Sequence, residues 1–213
     1  MLRFVRYGWS LALFQALLLV MAPAASAREA LVVAFGDSLT AGYGLKAQES
    51  FPAQLEAALR RSGQAVRVHN AGVSGDTSSA GRGRLGWVLA GLKAKPDLVI
   101  LELGANDMLH GQKPALTRSN LEALLIDLKR RKIPVLLAGM KASYNLDRAY
   151  RAEFDGLFSA LAKKHGVRFY PFFMEGVAGN RGLLIADQMH PNPKGVAVIV
   201  KRILPSVKAA LPR

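Results

Sequence analysis

A serine near the start of the chain and an acid–histidine pair near its end are the residue types that nucleophilic catalysis needs. Ser38 lies within AFGDSLTAGYG (residues 34–44), directly after the apolar run 31–33. Asp187 and His190 are three residues apart in Asp-Gln-Met-His-Pro. Histidine can take the serine proton and a carboxylate can orient the histidine, which is the minimum set for hydrolysing an ester through a covalent acyl intermediate.

These segments also have other interpretations. A serine at the start of a helix is favoured as its N-cap, and an acid–histidine pair is commonly a surface ion pair. Gly42 and Gly44 open a G-x-G-x-x-A pattern, but they begin seven residues after the predicted strand. The second predicted strand also ends in residues 68–70 (Val-His-Asn), without the acid that would hold a ribose, so dinucleotide binding is disfavoured.

Two further loops carry groups that could bind a developing negative charge. Gly75 follows the second predicted strand in NAGVSGDTS (residues 70–78), and Asn106 follows the third in Gly-Ala-Asn-Asp. The backbone N–H groups of Ser38 and Gly75 and the amide of Asn106 would together form an oxyanion hole, in which one donor is worth about 3 kcal/mol. Gly, Asn and Asp are also the commonest turn residues, which is the structural alternative for each loop.

The elements that must position these residues alternate between short apolar runs and helical patterns. Leucines at 121, 124, 125 and 128 and the stripe from Val196 to Val207 have helical spacing. This alternation predicts βαβ units, and so a three-layer α/β/α sandwich with a mostly parallel sheet of about five strands. The loops that begin near Gly36, Ala71 and Gly104 should then open on one sheet edge. The predicted strands are Leu31–Phe35, Val66–Asn70, Leu98–Leu103, Val135–Ala138 and Val167–Tyr170.

Composition suggests an exported protein of one domain. Residues 1–27 have a basic start, an apolar stretch and an Ala-Ser-Ala end, as in a cleaved signal peptide, which leaves 28–213 as the folded domain. The chain has no cysteine, which excludes disulfides and a thiol nucleophile. The spacing of the histidines and acids predicts no metal site. Because residues 1–27 have the features of a cleaved signal peptide, we expect a periplasmic or secreted location.

The chain is strongly basic. Its formal net charge is +14, and it is +12 without Arg3 and Arg6. For an exported protein this charge favours contact with an anionic membrane or envelope surface over nucleic acid. The alternative is that the basic residues only solvate helix faces.

These motifs resemble those of the SGNH, or GDSL, hydrolase superfamily. Ser38 in Gly-Asp-Ser-Leu, Gly75, Asn106 in Gly-x-Asn-Asp and His190 in Asp-x-x-His match its four named residues in order, from about residue 32 to 193. Further stretches at 70–78, 101–107 and 171–177 resemble the branch of periplasmic acyl-CoA thioesterases, lysophospholipases and arylesterases.

The resemblance implies a serine esterase or thioesterase without a cofactor, acting on aryl or acyl esters, lysophospholipids or acyl thioesters. It also implies that the loops 108–114 and 139–146 flank the acyl group, with Met108, Leu109, Met140 and Tyr144 lining an apolar slot. Two other functions stay open: a carbohydrate O-deacetylase on the same fold, and a basic envelope-binding module without catalysis.

Overall fold

The computed structural model describes residues 28–211, so the predicted signal peptide lies outside the described residues. Strands and helices alternate along this part of the chain. The strands are β1 (Ala30–Gly36), β2 (Val66–Gly72), β3 (Leu98–Glu102), β4 (Val135–Ala138) and β5 (Arg168–Tyr170). The α-helices are α1 (Ser38–Ala41), α2 (Phe51–Arg61), α3 (Ser78–Ala90), α4 (Ala105–Leu109), α5 (Pro114–Arg130), α6 (Arg148–His165) and α7 (Pro193–Ala210), with 3₁₀ turns at Ala47–Glu49 and Arg181–Leu183.

The strands form one sheet in the order β2-β1-β3-β4-β5, and every neighbouring pair is parallel. All residues of β3 and β4 are buried, as are residues 31–36 of β1, because helices cover both faces of the sheet. Helices α2 and α7 pack together on one face, and α3, α5 and α6 on the other. The predicted three-layer sandwich is confirmed.

The leucine and valine stripes read from the sequence are the core faces of their helices. In α5 the buried leucines are 121, 124, 125 and 128, and in α7 the buried residues include Val196, Ile199 and Ile203. Among the described residues no helix has the length and apolar character needed to cross a membrane.

Strand boundaries differ slightly from the predicted ones. β2 continues through Gly72, because Ala71 and Gly72 still pair with Phe35 and Gly36 of β1. β3 stops one residue early, at Glu102, before Gly104 turns the chain with a φ of 121°. Any side chain at Gly36 would collide with Thr40 and Glu102, so the strand end can pack directly against the start of α1 only because residue 36 is glycine.

Candidate active site

The functional loops leave the carboxyl ends of the strands, as predicted for a parallel sheet. Chain order reverses at β1, whose neighbours are β2 and β3, and crevices at such switch points are common ligand sites. Ser38 follows β1 and Asn106 follows β3, so both residues lie at this switch point.

Ser38 is the first residue of the short helix α1, and its neighbour Asp37 is the N-cap. The Asp37 carboxylate accepts the Leu39 N–H at 3.0 Å, and Gly42 ends the helix in the left-handed conformation. The N-cap of this helix is therefore Asp37 and not Ser38. The Ser38 hydroxyl is left free to bond elsewhere.

Ser38, His190 and Asp187 form a continuous hydrogen-bonded relay. The Ser38 Oγ lies 2.8 Å from His190 Nε2, and His190 Nδ1 lies 2.6 Å from Asp187 Oδ2. A carboxylate can only accept, so Nδ1 carries the proton and Nε2 presents a lone pair to the serine hydroxyl. This arrangement places a base next to a nucleophile and an orienting acid behind the base.

The turn before α7 fixes the acid and the base. Asp187 Oδ1 accepts the backbone N–H groups of Met189 and His190 at 2.9 and 3.0 Å. Desolvation raises the pKa of Asp187, but these two hydrogen bonds and the imidazole outweigh it and lower the pKa to about 2. The ring of Tyr43 lies 4.6 Å from the His190 ring, centroid to centroid, and limits its movement on the other side.

Gly75 occupies the tip of a turn in which the Asp76 N–H donates to the Val73 carbonyl. Its φ of 86° is a conformation that side chains disfavour, so glycine is needed here. Among the described residues, neither the Gly75 N–H nor the Ser38 N–H has an acceptor. Both therefore remain available to a ligand.

Asn106 connects the three loops. Its amide nitrogen donates to the Asp76 carbonyl at 2.9 Å and to Asp37 Oδ2 at 3.2 Å. An amide nitrogen has two hydrogens, so both are engaged here. To bind an oxyanion, Asn106 would have to redirect the N–H that now makes the longer bond, to Asp37.

Buried polar contacts fasten the loop after β2 to its neighbours. Asp107, fully buried, accepts the N–H and hydroxyl of Ser78 and the hydroxyl of Thr117. Arg84 binds Asp76 and donates to the carbonyls of Ala71 and Gly36. The Gly75 turn is thus held from both sides, as preorganised charge stabilisation requires.

Two buried acidic residues, Asp37 and Glu102, lie next to each other beneath Ser38, and the Asp37 backbone N–H donates to Glu102 Oε2 at 3.4 Å. Glu102 Oε2 accepts the Thr40 hydroxyl at 2.7 Å, whereas Oε1 has no donor among the described residues. Burial, and next the charge of Asp37, raise the pKa of Glu102 well above its ordinary value. Burial also raises the pKa of Asp37. Both carboxyl groups therefore keep their protons to higher pH than free carboxyl groups do.

The raised pKa of Glu102 predicts a pH-dependent effect of Glu102→Gln. Because the folded state keeps a proton that the unfolded chain releases above pH ~4.3, the pair's contribution to stability declines as pH rises toward the raised folded pKa. Glutamine can make the same hydrogen bonds without that proton. We expect the Tm of the variant, relative to wild type, to increase by up to about 3 °C per pH unit through this window.

Thermal denaturation between pH 3 and 8 measures this difference and also covers the pH range of the control. Glu122→Gln is a matched control of opposite sign, because Lys164 and His165 lower the pKa of Glu122. Its contribution is present above the unfolded pKa and is lost as pH falls. A Glu102→Gln difference that does not change with pH would refute the raised pKa of Glu102.

A cleft of about 350 Å³ opens beside Ser38 and His190. Met108, Leu109 and Met140 line this cleft, whereas Tyr144 lies in an adjoining cavity and is 91% exposed. Loops 108–114 and 139–146 each contribute to the cleft. Within the described part of the chain no cluster of metal-binding side chains is present.

Sequence reasoning assigned no role to three residues of this site. Glu102 could have been noticed as the one charge in an otherwise apolar strand, Leu-Val-Ile-Leu-Glu. Arg84 lies in the segment Gly-Arg-Gly-Arg (residues 81–84), whose sequence alone does not indicate the buried contacts of the arginine. No sequence pattern indicates a role for Tyr43, because the residue that it contacts, His190, lies far away along the chain.

Comparison with known proteins agrees with this geometry. Residues 34–198 match the GDSL-like lipase/acylhydrolase family. The chain is 36% identical to the esterase TesA of Pseudomonas aeruginosa, over 91% of this chain and 94% of that protein. It is also 36% identical to thioesterase 1/protease 1/lysophospholipase L1 of Escherichia coli, over 87% and 86% of the two chains.

A solved structure supports the same assignment. The crystal structure of AlinE4, an SGNH-hydrolase family esterase, superposes with a TM-score of 0.74 at 49% identity, covering 87% of this chain and 98% of that one. The chain therefore belongs to the GDSL-like lipase/acylhydrolase family, the SGNH hydrolases, and is a carboxylic ester hydrolase.

Proposed function

We propose that the chain hydrolyses acyl and aryl esters, including lysophospholipids, and acyl thioesters, through an acyl-enzyme on Ser38. The observation that carries this proposal is the relay from Ser38 Oγ to His190 Nε2 and from His190 Nδ1 to Asp187, at the mouth of an apolar cleft. No cofactor takes part.

In the first half-reaction, His190 Nε2 takes the Ser38 proton while Ser38 Oγ bonds to the carbonyl carbon. The carbonyl oxygen becomes an oxyanion, which the N–H groups of Ser38 and Gly75 and the Asn106 amide stabilise. The intermediate then collapses, and the alcohol or thiol leaves with the proton from His190. Water, deprotonated by His190, repeats the sequence on the acyl-enzyme and releases the acid.

The lining of the cleft supports a broad range of acyl chains. Every methionine of residues 28–211 lines it: Met108, Met140, Met174 and Met189. Methionine has an unbranched, flexible side chain that adapts to different apolar shapes. A slot lined by these side chains suits medium and long acyl groups better than acetyl alone.

A series of p-nitrophenyl esters from acetyl to palmitoyl tests this proposal. We expect the highest kcat/KM at medium or long chains. Activity confined to acetyl would instead favour a carbohydrate deacetylase, and binding without turnover would favour an envelope-binding module.

Asn106→Ala tests the oxyanion assignment. Removing one such donor costs about 10²–10³ in kcat, and KM should change little because the interaction strengthens only in the transition state. Asn120→Ala is the matched control, since Asn120 donates to Ser78 in the buried network behind the site. It should lower Tm and leave kcat within a few fold. Equal kcat losses in both variants would mean that Asn106 acts only structurally.

Export is part of the proposal. The basic start, apolar stretch and Ala-Ser-Ala of residues 1–27 support cleavage before Arg28 and a periplasmic or secreted location. The positive charge of the remaining chain supports contact with an anionic membrane or envelope surface. Expression in a bacterial host should give extracytoplasmic protein whose intact mass begins at Arg28, and full-length cytoplasmic protein would refute export.

A further inference from the structure

The charges of this protein are divided between the two edges of its sheet. The five loops at the carboxyl edge (37–50, 73–77, 103–113, 139–147 and 171–192) contain four lysines and arginines against seven acids. Three segments at the amino edge (91–97, 129–134 and 163–168) contain nine lysines and arginines against one acid. The edge that carries the catalytic cleft is therefore acidic, and the opposite edge is basic.

The basic edge is continuous in space. The three segments precede β3, β4 and β5, which are neighbours in the sheet. Two cavities of about 390 and 340 Å³ open there and share Ile133 in their walls. The cations that line the first are Lys93, Lys95 and Arg131, and those that line the second are Lys129, Lys132 and Arg168.

Most of this charge is not neutralised within the molecule. Lys93, Lys95, Lys129 and Lys132 are exposed, and among the described residues they form no ion pair. The single acid of the three segments, Asp97, is buried and bound by Arg28. An unneutralised basic surface attracts an anionic one within about a Debye length.

We propose that this basic edge docks the protein on an anionic phospholipid bilayer, with the catalytic cleft facing the water. Two observations favour a bilayer over another polyanion. The amino edge is separated from the catalytic cleft by the length of the strands, so a flat surface can contact it without blocking the cleft. Ile126, 51% exposed, lies one turn before the end of α5, beside these lysines, and offers an apolar contact to lipid.

The orientation limits the substrates of a docked molecule. β1 has seven residues, so the carboxyl edge with Ser38 lies about 20 Å from the amino edge. The cleft of a docked molecule would reach esters and thioesters dissolved in water rather than lipids packed in the bilayer beneath it. This restriction to dissolved substrates rests on the proposed function, whereas the docking itself does not depend on that function.

Sedimentation with vesicles tests the docking. Residues 28–213, which contain every described element, are mixed with vesicles of equal parts phosphatidylglycerol and phosphatidylcholine, or of phosphatidylcholine alone. We expect binding only to the anionic vesicles and its loss in high salt. Changing Lys93, Lys95, Lys129 and Lys132 to Gln should weaken binding by roughly 100-fold or more, at about fivefold for each lysine near the surface.

The matched control removes the same charge from the cleft edge, by changing Lys46, Lys113, Arg181 and Lys194 to Gln. It should bind vesicles at least as well as wild type. Equal weakening in both variants would show that only net charge matters and would overturn the proposal, as would duplex DNA competing as effectively as lipid or wild type failing to bind.

Turnover of p-nitrophenyl acetate separates docking from catalysis. The amino-edge variant should keep wild-type turnover, which shows that it is folded. Wild type saturated with anionic vesicles should hydrolyse this soluble ester at an unchanged rate, because its cleft faces the water. A large rate loss on vesicle binding would refute the orientation, and inactivity of wild type without vesicles would refute the proposed function alone.

Discussion

Replacing Ser38 by alanine is expected to lower kcat for a soluble ester by roughly 10⁶-fold. The hydroxyl is the atom group that becomes acylated. Among residues 28–211 Ser38 Oγ alone is bonded to His190 Nε2, and the chain has no cysteine that could replace it. Activity on a p-nitrophenyl ester, with active-site titration of wild type, measures the loss.

Non-additivity gives this prediction a sharper form. The catalytic groups act as one unit, so removing one of them also removes the effect of the others. His190→Ala should therefore lower kcat about as much as Ser38→Ala, and the kcat of the double variant should be no lower than that of either single variant. Ser159→Ala, an exposed serine on α6, is the matched control and should retain full activity. A phosphonate ester should label Ser38 in wild type, and labelling of another residue would contradict the assignment.

The fold could be predicted from the sequence because its signals are local. Apolar runs such as Leu98–Glu102 are buried on both faces of a parallel sheet, so their position and type follow from composition. The relative positions of Ser38 and Asn106 could also be anticipated, since the carboxyl ends of parallel strands share one edge. What local signals leave open is the distance between groups on different loops.

Three features of the site depend on such distances. Asp37 and Glu102 lie far apart in sequence, and their contact depends on the space that Gly36 leaves for the Glu102 side chain. The sequence identifies the Asn106 amide as a hydrogen-bond donor, yet in the structure both hydrogens of this amide already have acceptors. Tyr144 has the character of a pocket residue, but the loop 139–146 places it in the adjoining cavity instead of the cleft.

The site also shows why an acid beneath the nucleophile is compatible with catalysis. Two full negative charges at Asp37 and Glu102 would oppose an oxyanion at Ser38. The raised pKa values of both groups reduce this charge, and Asp37 accepts the Leu39 N–H and the Asn106 amide. Asp37 therefore holds the start of α1 and the Asn106 side chain in place at the same time.

Asp187→Asn is expected to lower kcat by about 10⁴-fold while the protein stays folded. Asparagine can keep both backbone hydrogen bonds through Oδ1, which leaves its NH₂ group facing His190 Nδ1. That group is a donor, so the imidazole must place its own proton on Nε2. Nε2 then has no lone pair for the Ser38 hydroxyl, and the base is lost although every atom is nearly in place.

Asp147→Asn separates this effect from stability. Asp147 also accepts two backbone N–H groups, those of Ala149 and Tyr150, and these bonds lower its pKa, but it caps α6 and touches no catalytic group. For both aspartates the lowered folded pKa stabilises the protein above the unfolded pKa of about 3.9, and this contribution is lost as pH falls. Both variants should therefore show Tm deficits that are constant above pH ~4 and shrink as the pH falls below it, while only Asp187→Asn loses turnover. If Asp187→Asn kept wild-type kcat at neutral pH, His190 would not depend on Asp187 for its tautomer, and the relay would be a structural ion pair.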